Sequence, residues 1–434
     1  MSPVLVGVAG IVLLLVLMFL NFPVAFSMAV VGAFGFGYLI STVAALNIMA
    51  KDFYTVFSSY DLTVVPLFIF MGQIVFQTGI SRKLYDAGNS WLGHHKGGLA
   101  VATVGACAAF SAICGSTNAT AATMATVALP EMKRFKYADE IATGVVAAGG
   151  SLGILIPPSV IFILYGIMTE QSIGKLFMAG IVPGILLALI FTLTIYIWVS
   201  INPGIAPRVE KQPLGKRMRA LIGLVDVILL FILVMGGLFI GVFTPNEAGA
   251  VGAFGGLMIP FIKGQLTWKK LVWALRSTTQ ITCMILMIVA GATVFGHFLA
   301  VSNIPTTLSG WVVSLPIPAW ASMLVIMIFF FIGGCFMDSL GMILLTIPIF
   351  YPVAISLGYD PIWFGVVVVL ITELGVITPP VGINVYVVSG IAQSVPLQTV
   401  FKGAMPFVLA LIVYVIIMVI FPQIALFLPN IASF

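Results

Sequence analysis

Long apolar runs follow one another along almost the whole chain, separated by short polar or Pro- and Gly-containing breaks. An α-helix needs about 20 apolar residues to cross the hydrocarbon core of a bilayer. The pattern therefore predicts an all-α integral membrane protein. Single spans are predicted over 4–20, 23–46, 62–80, 176–200, 221–243, 246–262, 274–300 and 403–428.

Two apolar segments, 97–130 and 319–350, are too long for one straight span and too short for two. Each has a polar, Gly-containing centre, at Cys114–Asn118 in the first and at Gly333–Ser339 in the second. A single crossing would place this irregular backbone against lipid at mid-depth, where unpaired N–H and C=O groups are costly. We therefore predict that each segment enters and leaves on the same side, as a re-entrant helical hairpin.

Two further spans contain a pair of prolines near their centres. They cover 138–169, broken at Pro157-Pro158, and 361–393, broken at Pro379-Pro380. Proline lacks an N–H and clashes with the preceding helical turn, so a regular helix cannot continue through it. The pattern predicts two broken helices whose inner ends lie within the membrane.

The two halves of the chain repeat one another at an offset of about 220 residues. Val31–Gly35 recurs as Val251–Gly255, and Leu152-Gly153, before the first proline pair, recurs as Leu374-Gly375 before the second. Each copy is predicted to contain five spans and one hairpin. Because five is an odd number of crossings, the two copies must have inverted orientations in the membrane.

The first repeat is assigned to residues 1–220 and the second to 221–434, with a basic cytoplasmic linker at 201–220. The predicted fold has about ten transmembrane helices plus two re-entrant hairpins and two broken helices. Inverted repeats with discontinuous helices at matching positions are typical of secondary transporters, which bind substrate and ions near mid-membrane between the repeats.

The distribution of positive charge favours this topology. With both hairpins re-entrant, all of the 18 Lys and Arg residues except Lys51 and Lys175 fall on one face. The positive-inside rule makes that face cytoplasmic. Both termini are then predicted to be periplasmic, the first hairpin enters from the cytoplasm and the second enters from the periplasm.

Composition indicates that the surrounding solvent is lipid. Of the 434 residues, 61% are hydrophobic and 7% are charged, whereas soluble domains carry about a quarter charged residues. The net charge of +5 includes no basic stretch long enough to follow a phosphate backbone, so no nucleic-acid partner is predicted. Residues Leu5 to Leu20 are interpreted as a first span rather than a signal peptide, because no cleavage site follows them.

The two hairpin tips and the two proline pairs create helix ends inside the membrane. A helix N-terminus presents free N–H groups and suits an anion, whereas free carbonyls at a C-terminal end suit a sodium ion. Ser116, Thr117 and Asn118 are N-cap residue types at the start of the second arm of the first hairpin. Thr378 is predicted to cap the helix that starts at the second proline pair, whereas Ile156 is a poorer cap for the first.

Two acidic residues are candidates for the ion site. Asp338 lies at the tip of the second hairpin, and a carboxylate at mid-depth indicates function by default. We predict that it ligates sodium or orients the tip. Glu373, just before Gly375, is a candidate for ion binding or gating. The alternative for both is a structural, hydrogen-bonded acid.

Three stretches resemble one membrane-protein family: Pro66–Gly72 (PLFIFMG), Leu155–Ser159 (LIPPS) and above all Ile377–Asn384 (ITPPVGIN). They are similar to the large membrane subunit of tripartite ATP-independent periplasmic (TRAP) transporters, the DctM-like family. The resemblance extends over essentially the whole chain.

This resemblance implies a bacterial inner-membrane protein that works with a small four-span membrane subunit and a periplasmic substrate-binding protein. It implies sodium-coupled uptake of an organic acid, such as a C4-dicarboxylate or sialic acid, by an elevator motion, with no cofactor beyond the coupling ion. The motifs map sodium binding to Ser116, Asn118, Gly153, Gly334, Asp338, Gly375 and Thr378. They map substrate binding to Ser116, Thr117, Pro157, Pro158, Ser159, Pro379, Pro380 and Asn384.

Two alternatives stay open. A stand-alone sodium–dicarboxylate carrier with similar hairpins would transport free substrate without a binding protein. An intramembrane enzyme or a structural scaffold would belong to a different class. The enzyme would need a nucleophile–base pair or a metal cluster at mid-depth, and the sequence contains no spacing of that kind.

Overall fold

The computed structural model describes residues 2–431, and all regular structure in this range is helical. In the first half the helices are α1 Pro3–Phe19, α2 Val24–Leu39, α3 Thr42–Ser58, α4 Val64–Gln77, α5 Ile80–Leu92, α6 Gly98–Cys114, α7 Thr117–Arg134, α8 Asp139–Gly150, α9 Leu152–Leu155, α10 Val160–Thr169 and α11 Ile173–Ile201.

The second half continues the helical architecture to the last described residue. Its helices are α12 Leu214–Ile222, α13 Val225–Phe231, α14 Gly237–Phe239, α15 Pro245–Ile262, α16 Trp268–Val301, α17 Ile304–Ser314, α18 Ala319–Phe336, α19 Ser339–Ser356, α20 Pro361–Val376, α21 Ile383–Ile391, α22 Leu397–Ile420 and α23 Gln423–Ile431. A π-helical turn, Ile232–Gly236, joins α13 to α14.

Several helices are long and apolar enough to cross a membrane, which agrees with a multi-pass membrane protein. Within the described residues there are six such helices, or up to eight if each of two bent pairs counts as one span. Both arms of the second hairpin, α18 and α19, belong to the six, so length alone does not separate a hairpin arm from a span. The total of about ten crossings stays a prediction.

The first hairpin reverses direction at its tip. Gly115, in the left-handed region with φ of 62°, ends α6, and Ser116 caps α7. The Tyr137 hydroxyl, just beyond the end of α7, accepts a hydrogen bond from the Leu99 N–H at the start of α6, with a distance of 3.2 Å. The two outer ends of the segment therefore lie side by side.

The second hairpin also reverses. The ring of Phe350 in α19 lies 4.8 Å from that of Phe329 and 5.6 Å from that of Phe330, both in α18. In one continuous helix, residues about 20 positions apart would be separated by about 30 Å. The two arms must therefore fold back on each other at Asp338, which caps α19.

The repeated sequence motif occupies equivalent helices in the two halves. Val31–Gly35 lies in α2, which packs on α16, and Val251–Gly255 lies in α15, which packs on α4. At Gly32 the two helix backbones approach so closely that a Cβ would lie 2.8 Å from Cα of Phe295. Each copy of the motif therefore lies in a helix that packs against a helix of the opposite half. The domain boundary at 220 and 221 stays a prediction.

The boundaries of several elements differ from those expected. The span predicted over 23–46 ends at Leu39, and α3 begins anew because Ser41 caps it. The hairpins extend to Arg134 and Ser356, and the broken helices cover Asp139–Thr169 and Pro361–Ile391. Inside the linker predicted over 201–220, α12 begins at Leu214 and continues to Ile222.

We expect cysteine labelling to place both ends of the first hairpin on one face. On a background with Cys283 replaced by Ser, a Lys175→Cys variant should react with a membrane-impermeant maleimide in right-side-out vesicles. Lys96→Cys and Lys136→Cys should react only after permeabilisation, because the positive-inside rule places both in the cytoplasm. Labelling of Lys96→Cys and Lys136→Cys from opposite faces would show that residues 97–130 cross the membrane.

Candidate functional site

Glu373 connects the two hairpin tips. Its side chain is fully buried in α20. It accepts hydrogen bonds from the Thr117 hydroxyl at the first tip, at 3.2 Å, and from the Ser339 hydroxyl at the second tip, at 3.1 Å. One carboxyl group therefore contacts residues from opposite halves of the chain, and α7 and α19 both begin beside it, at Thr117 and Ser339.

Asn384 extends this polar network to both broken helices. Its amide nitrogen donates to the Thr117 hydroxyl at 2.9 Å and to the Ala147 carbonyl in α8 at 3.3 Å. The amide oxygen of Asn384 is buried and makes no hydrogen bond. A buried polar atom of this kind is costly unless a ligand or an ordered water satisfies it. The network therefore contains a buried oxygen that no group of residues 2–431 satisfies.

Two matched glycines permit close contact between each broken helix and its hairpin. A Cβ on Gly153 would lie 2.5 Å from the carbonyl oxygen of Ser116. At the equivalent place in the second half, a Cβ on Gly375 would overlap the backbone of Gly334. Since backbone contacts backbone, no side chain can move aside. These four residues of the predicted ion site are therefore brought together in two equivalent pairs.

A cavity of about 130 Å³ lies between the two tips and helices α4 and α16. Among residues 2–431, no Lys, Arg or His lines it. The polar lining comes from Gln73 of α4 and from the hairpin tips. The tip residues in the lining are Cys114, Gly115, Ser116, Thr117, Asn118, Asp338 and Ser339.

Some of the oxygen atoms around this cavity already accept hydrogen bonds from backbone N–H groups. Asp338 accepts a hydrogen bond from the Gly341 N–H at 3.1 Å, and Ser116 accepts one from the Ala119 N–H at 3.4 Å. The side-chain oxygen of Asn118 is buried and makes no hydrogen bond. The first tip therefore offers one free amide oxygen beside the cap, a ligand type that sodium and other hard cations accept.

The prediction that Thr378 caps the second inner helix is wrong. α21 begins only at Ile383, after Gly382, and the Thr378 hydroxyl donates to the Leu374 carbonyl at 2.6 Å instead. In the first half α10 begins at Val160, where Ser159 is the cap. The reason is that a residue before proline avoids the helical region, so the first proline of a pair cannot begin a helix.

The remaining predicted residues lie around the cavity without lining it. Pro158 is buried, and its carbonyl oxygen would lie 2.6 Å from a Cβ on Gly115. Pro157 and Ser159 are also buried, whereas Pro379-Pro380 is exposed. Glu373 is a candidate for ion binding or gating on sequence grounds, but it is not among the residues predicted to bind sodium or substrate. An acid within an otherwise apolar run was the signal that could have included it.

Comparison with known proteins identifies the family. The sequence matches the DctM component of tripartite ATP-independent periplasmic transporters over residues 11–424. The C4-dicarboxylate TRAP transporter large permease protein DctM of Pseudomonas aeruginosa is 38% identical over 374 residues, 86% of each chain. The sialic acid TRAP transporter large permease protein SiaM of Vibrio cholerae is 30% identical over 417 residues, 95% of this chain and 96% of that one.

One relative and one solved structure add to this picture. The isethionate TRAP transporter permease protein DctMQ of Oleidesulfovibrio alaskensis is 32% identical over 398 residues, 91% of this chain but 62% of that longer protein. The YdaH transporter of Alcanivorax borkumensis matches with a TM-score of 0.66 at 14% identity, covering 88% of this chain and 89% of that one. At this identity the likeness shows the fold alone.

These relatives are membrane permeases rather than enzymes, and the match covers nearly all of the chain. The chain therefore belongs to the family of DctM components, the large permease subunits of tripartite ATP-independent periplasmic transporters.

Proposed function

We propose that this large permease subunit imports a small organic acid, driven by sodium ions, across a bacterial inner membrane. It works with a small four-span membrane subunit and a periplasmic substrate-binding protein. The matched region is only 62% of the relative named as DctMQ, which supports the proposal of a second membrane component. The names of the relatives differ in substrate, so we propose the class of organic acids such as C4-dicarboxylates and sialic acid.

One observation carries the proposal: two helix N-termini from opposite halves meet at one cavity that no cationic side chain of the described chain lines. The N-terminal turn of a helix offers free N–H groups and about half a positive charge. The first turns of α7, from Thr117, and of α19, from Ser339, can therefore hold the carboxylate of a substrate. The hydroxyl of Ser116 would add a hydrogen bond, and Thr117, whose hydroxyl donates to Glu373, would contribute its backbone N–H.

Sodium would bind behind each tip. In the first half the ligands would come from Ser116, Asn118 and Gly153, and the free amide oxygen of Asn118 supports this. In the second half the carboxylate of Asp338 supplies a negative charge beside the cavity. Gly334 and Gly375, which pack directly on each other, would supply backbone carbonyl oxygens to this second site. Thr378 would supply its hydroxyl oxygen.

An asymmetry between the halves supports an elevator motion. Pro157-Pro158 is buried and Pro379-Pro380 is exposed. The cavity is lined by residues of α4 between 69 and 73 and by residues of α16 between 281 and 285. With the repeat offset of 220, however, residues 69–73 of α4 correspond to residues 289–293 of α16. The difference of about eight residues corresponds to about 12 Å along a helix. If the hairpins and the broken helices move as one unit along α4 and α16, that unit lies about 6 Å from the depth at which both halves would be equivalent. The displacement is toward the predicted cytoplasmic end, and the other state of an elevator would be displaced equally far toward the periplasm.

The proposal is tested by uptake into proteoliposomes with candidate acids, with and without sodium and the matching binding protein. Uptake should require sodium, the small subunit and the binding protein together. A stand-alone sodium–dicarboxylate carrier would transport free substrate without the two partners. Sodium-independent uptake by the complete assembly would contradict the proposed coupling.

Replacing Asp338 with Ala should raise the sodium concentration for half-maximal uptake by about tenfold. The variant loses a negative charge beside the cavity and the cap of α19, a cap being worth about 1 kcal/mol. Asp338→Asn keeps a capping side chain and removes the charge, so it separates the two effects. If both variants keep the wild-type sodium dependence, Asp338 is not part of the ion site.

A further inference from the structure

The helix between the two halves is fastened to α5 by a pair of side chains. The guanidinium carbon of Arg217 in α12 lies 4.5 Å from the centre of the Trp91 ring. Arg217 donates to the Trp91 carbonyl at 3.1 Å, and the Trp91 indole N–H donates to the Arg217 carbonyl at 3.0 Å. These reciprocal contacts fix the position of the guanidinium on the face that is predicted to be cytoplasmic.

Arg217 is a buried cation without a counter-ion in the part of the chain that the structure describes. It is 9% exposed, and its Nε atom is buried and makes no hydrogen bond. The ion pairs found within residues 2–431 join Arg134 to Glu131, Lys263 to Asp226 and His297 to Asp52. A buried charge is costly unless it is paired. The geometry therefore calls for an anion beside Arg217.

Further positive groups surround the same place. The rings of His94 and His95 lie 4.0 Å apart, and Nδ1 of His94 is buried and makes no hydrogen bond. Burial, followed by the positive charges of His95, Arg217 and Lys211, lowers the pKa of His94. Nδ1 of His94 and Nε of Arg217, which make no hydrogen bond to residues 2–431, therefore lie in a positive potential.

The helix α12 has the character of an interfacial helix. Leu214, Met218 and Ile222 are exposed and share one face, since they lie four residues apart. Lys216 and Arg219 are exposed on another side. α12 also bends by 40° from the following segment, Val225–Phe239. Helices with an apolar stripe and a basic face lie in the plane of the headgroups, and anionic lipids attract them.

We propose that Arg217 and His94 form a binding site for the phosphate group of an anionic lipid on the cytoplasmic face. The phosphate would accept from Nε of Arg217 and from the His94 ring, with Lys211 and His95 adding positive charge around it. The acyl chains would lie along the exposed apolar stripe of α12. A lipid held there would tie the connection between the two halves to α5.

The test is native mass spectrometry of the full chain in detergent, titrated with phosphatidylglycerol or phosphatidylcholine. Arg217→Gln should weaken the tightest phosphatidylglycerol binding about tenfold, because it removes a charge-assisted contact. Arg219→Gln is the matched control, with the same chemical change on the same helix but at an exposed position, and should change the affinity less than about twofold. Phosphatidylcholine should bind no tighter to the wild type than to Arg217→Gln.

His94→Gln provides a second variant that leaves the Arg217–Trp91 contacts intact, so it does not depend on how Arg217→Gln folds. We expect it to weaken phosphatidylglycerol binding severalfold. Equal losses for Arg217→Gln and Arg219→Gln would show a diffuse basic surface and overturn the proposal, as would unchanged binding in His94→Gln. Displacement of the lipid by millimolar inorganic phosphate would identify a soluble anion as the ligand and overturn the lipid assignment.

Discussion

Replacing Glu373 with Ala is expected to lower the initial rate of substrate uptake at least about a hundredfold. The Glu373 carboxyl accepts hydrogen bonds from Thr117 and Ser339, one at each hairpin tip. A buried hydroxyl left without its hydrogen-bond partner costs about 1–3 kcal/mol, and about 1.4 kcal/mol corresponds to a factor of ten. Without the carboxyl, the two tips lose their common anchor, and the cavity between them loses its shape. Uptake by the complete assembly in proteoliposomes measures the effect.

Two further variants show whether shape or charge matters at this position. Glu140→Ala is the matched control, because Glu140 is exposed at the start of α8, and it should keep nearly wild-type uptake. Glu373→Gln keeps the size and one hydrogen-bond acceptor, so a positioning role predicts partial uptake, within about tenfold of wild type. Uptake by Glu373→Ala at the level of Glu140→Ala would refute the role of Glu373 at the tips.

The breaks in the helices could be predicted from the sequence because they are local features. A polar, Gly-containing centre within an apolar segment, such as Gly333–Ser339, has few stable solutions in lipid. The structure confirms that both hairpins reverse at these centres, as the contacts between Phe350 and Phe329 show for the second. The proline pairs also interrupt their helices as predicted.

The contacts among the breaks could not be predicted, because they join residues far apart in the chain. Glu373 and Thr117 are separated by 256 positions, and Asn384 and Thr117 by 267. An acid in an apolar run indicates only that some polar partner exists. Which hydroxyl that is depends on how the two halves pack, and no local pattern encodes it.

Helices α5 and α17 were missed for a different reason. α5 is amphipathic and carries Arg82, Lys83 and Asp86, so it does not stand out as an apolar run. α17 is a short helix between a long span and a hairpin. The difference in burial between the two proline pairs could not be predicted either, because it depends on how distant segments pack around each pair.

The matched glycines give the second large effect: Gly153→Ala and Gly375→Ala should each raise the sodium concentration for half-saturation at least about tenfold. Each added methyl group would meet hairpin backbone, at Ser116 and at Gly334 respectively. Overpacking against a part that cannot move costs about 1–3 kcal/mol. The tip is therefore displaced from the broken helix, and the oxygens predicted to surround sodium move apart.

The measurement is the rise in unfolding temperature with sodium concentration, since an ion that binds only the folded protein stabilises it by mass action. Gly105→Ala and Gly390→Ala are the matched controls, one in each half, because nothing in the described part of the chain outside their own helices lies within 4 Å of the added Cβ. Both should keep the wild-type sodium dependence, and Ala is the better helix former. If Gly153→Ala and Gly375→Ala respond to sodium as these controls do, the ions do not bind where the broken helices meet the hairpins.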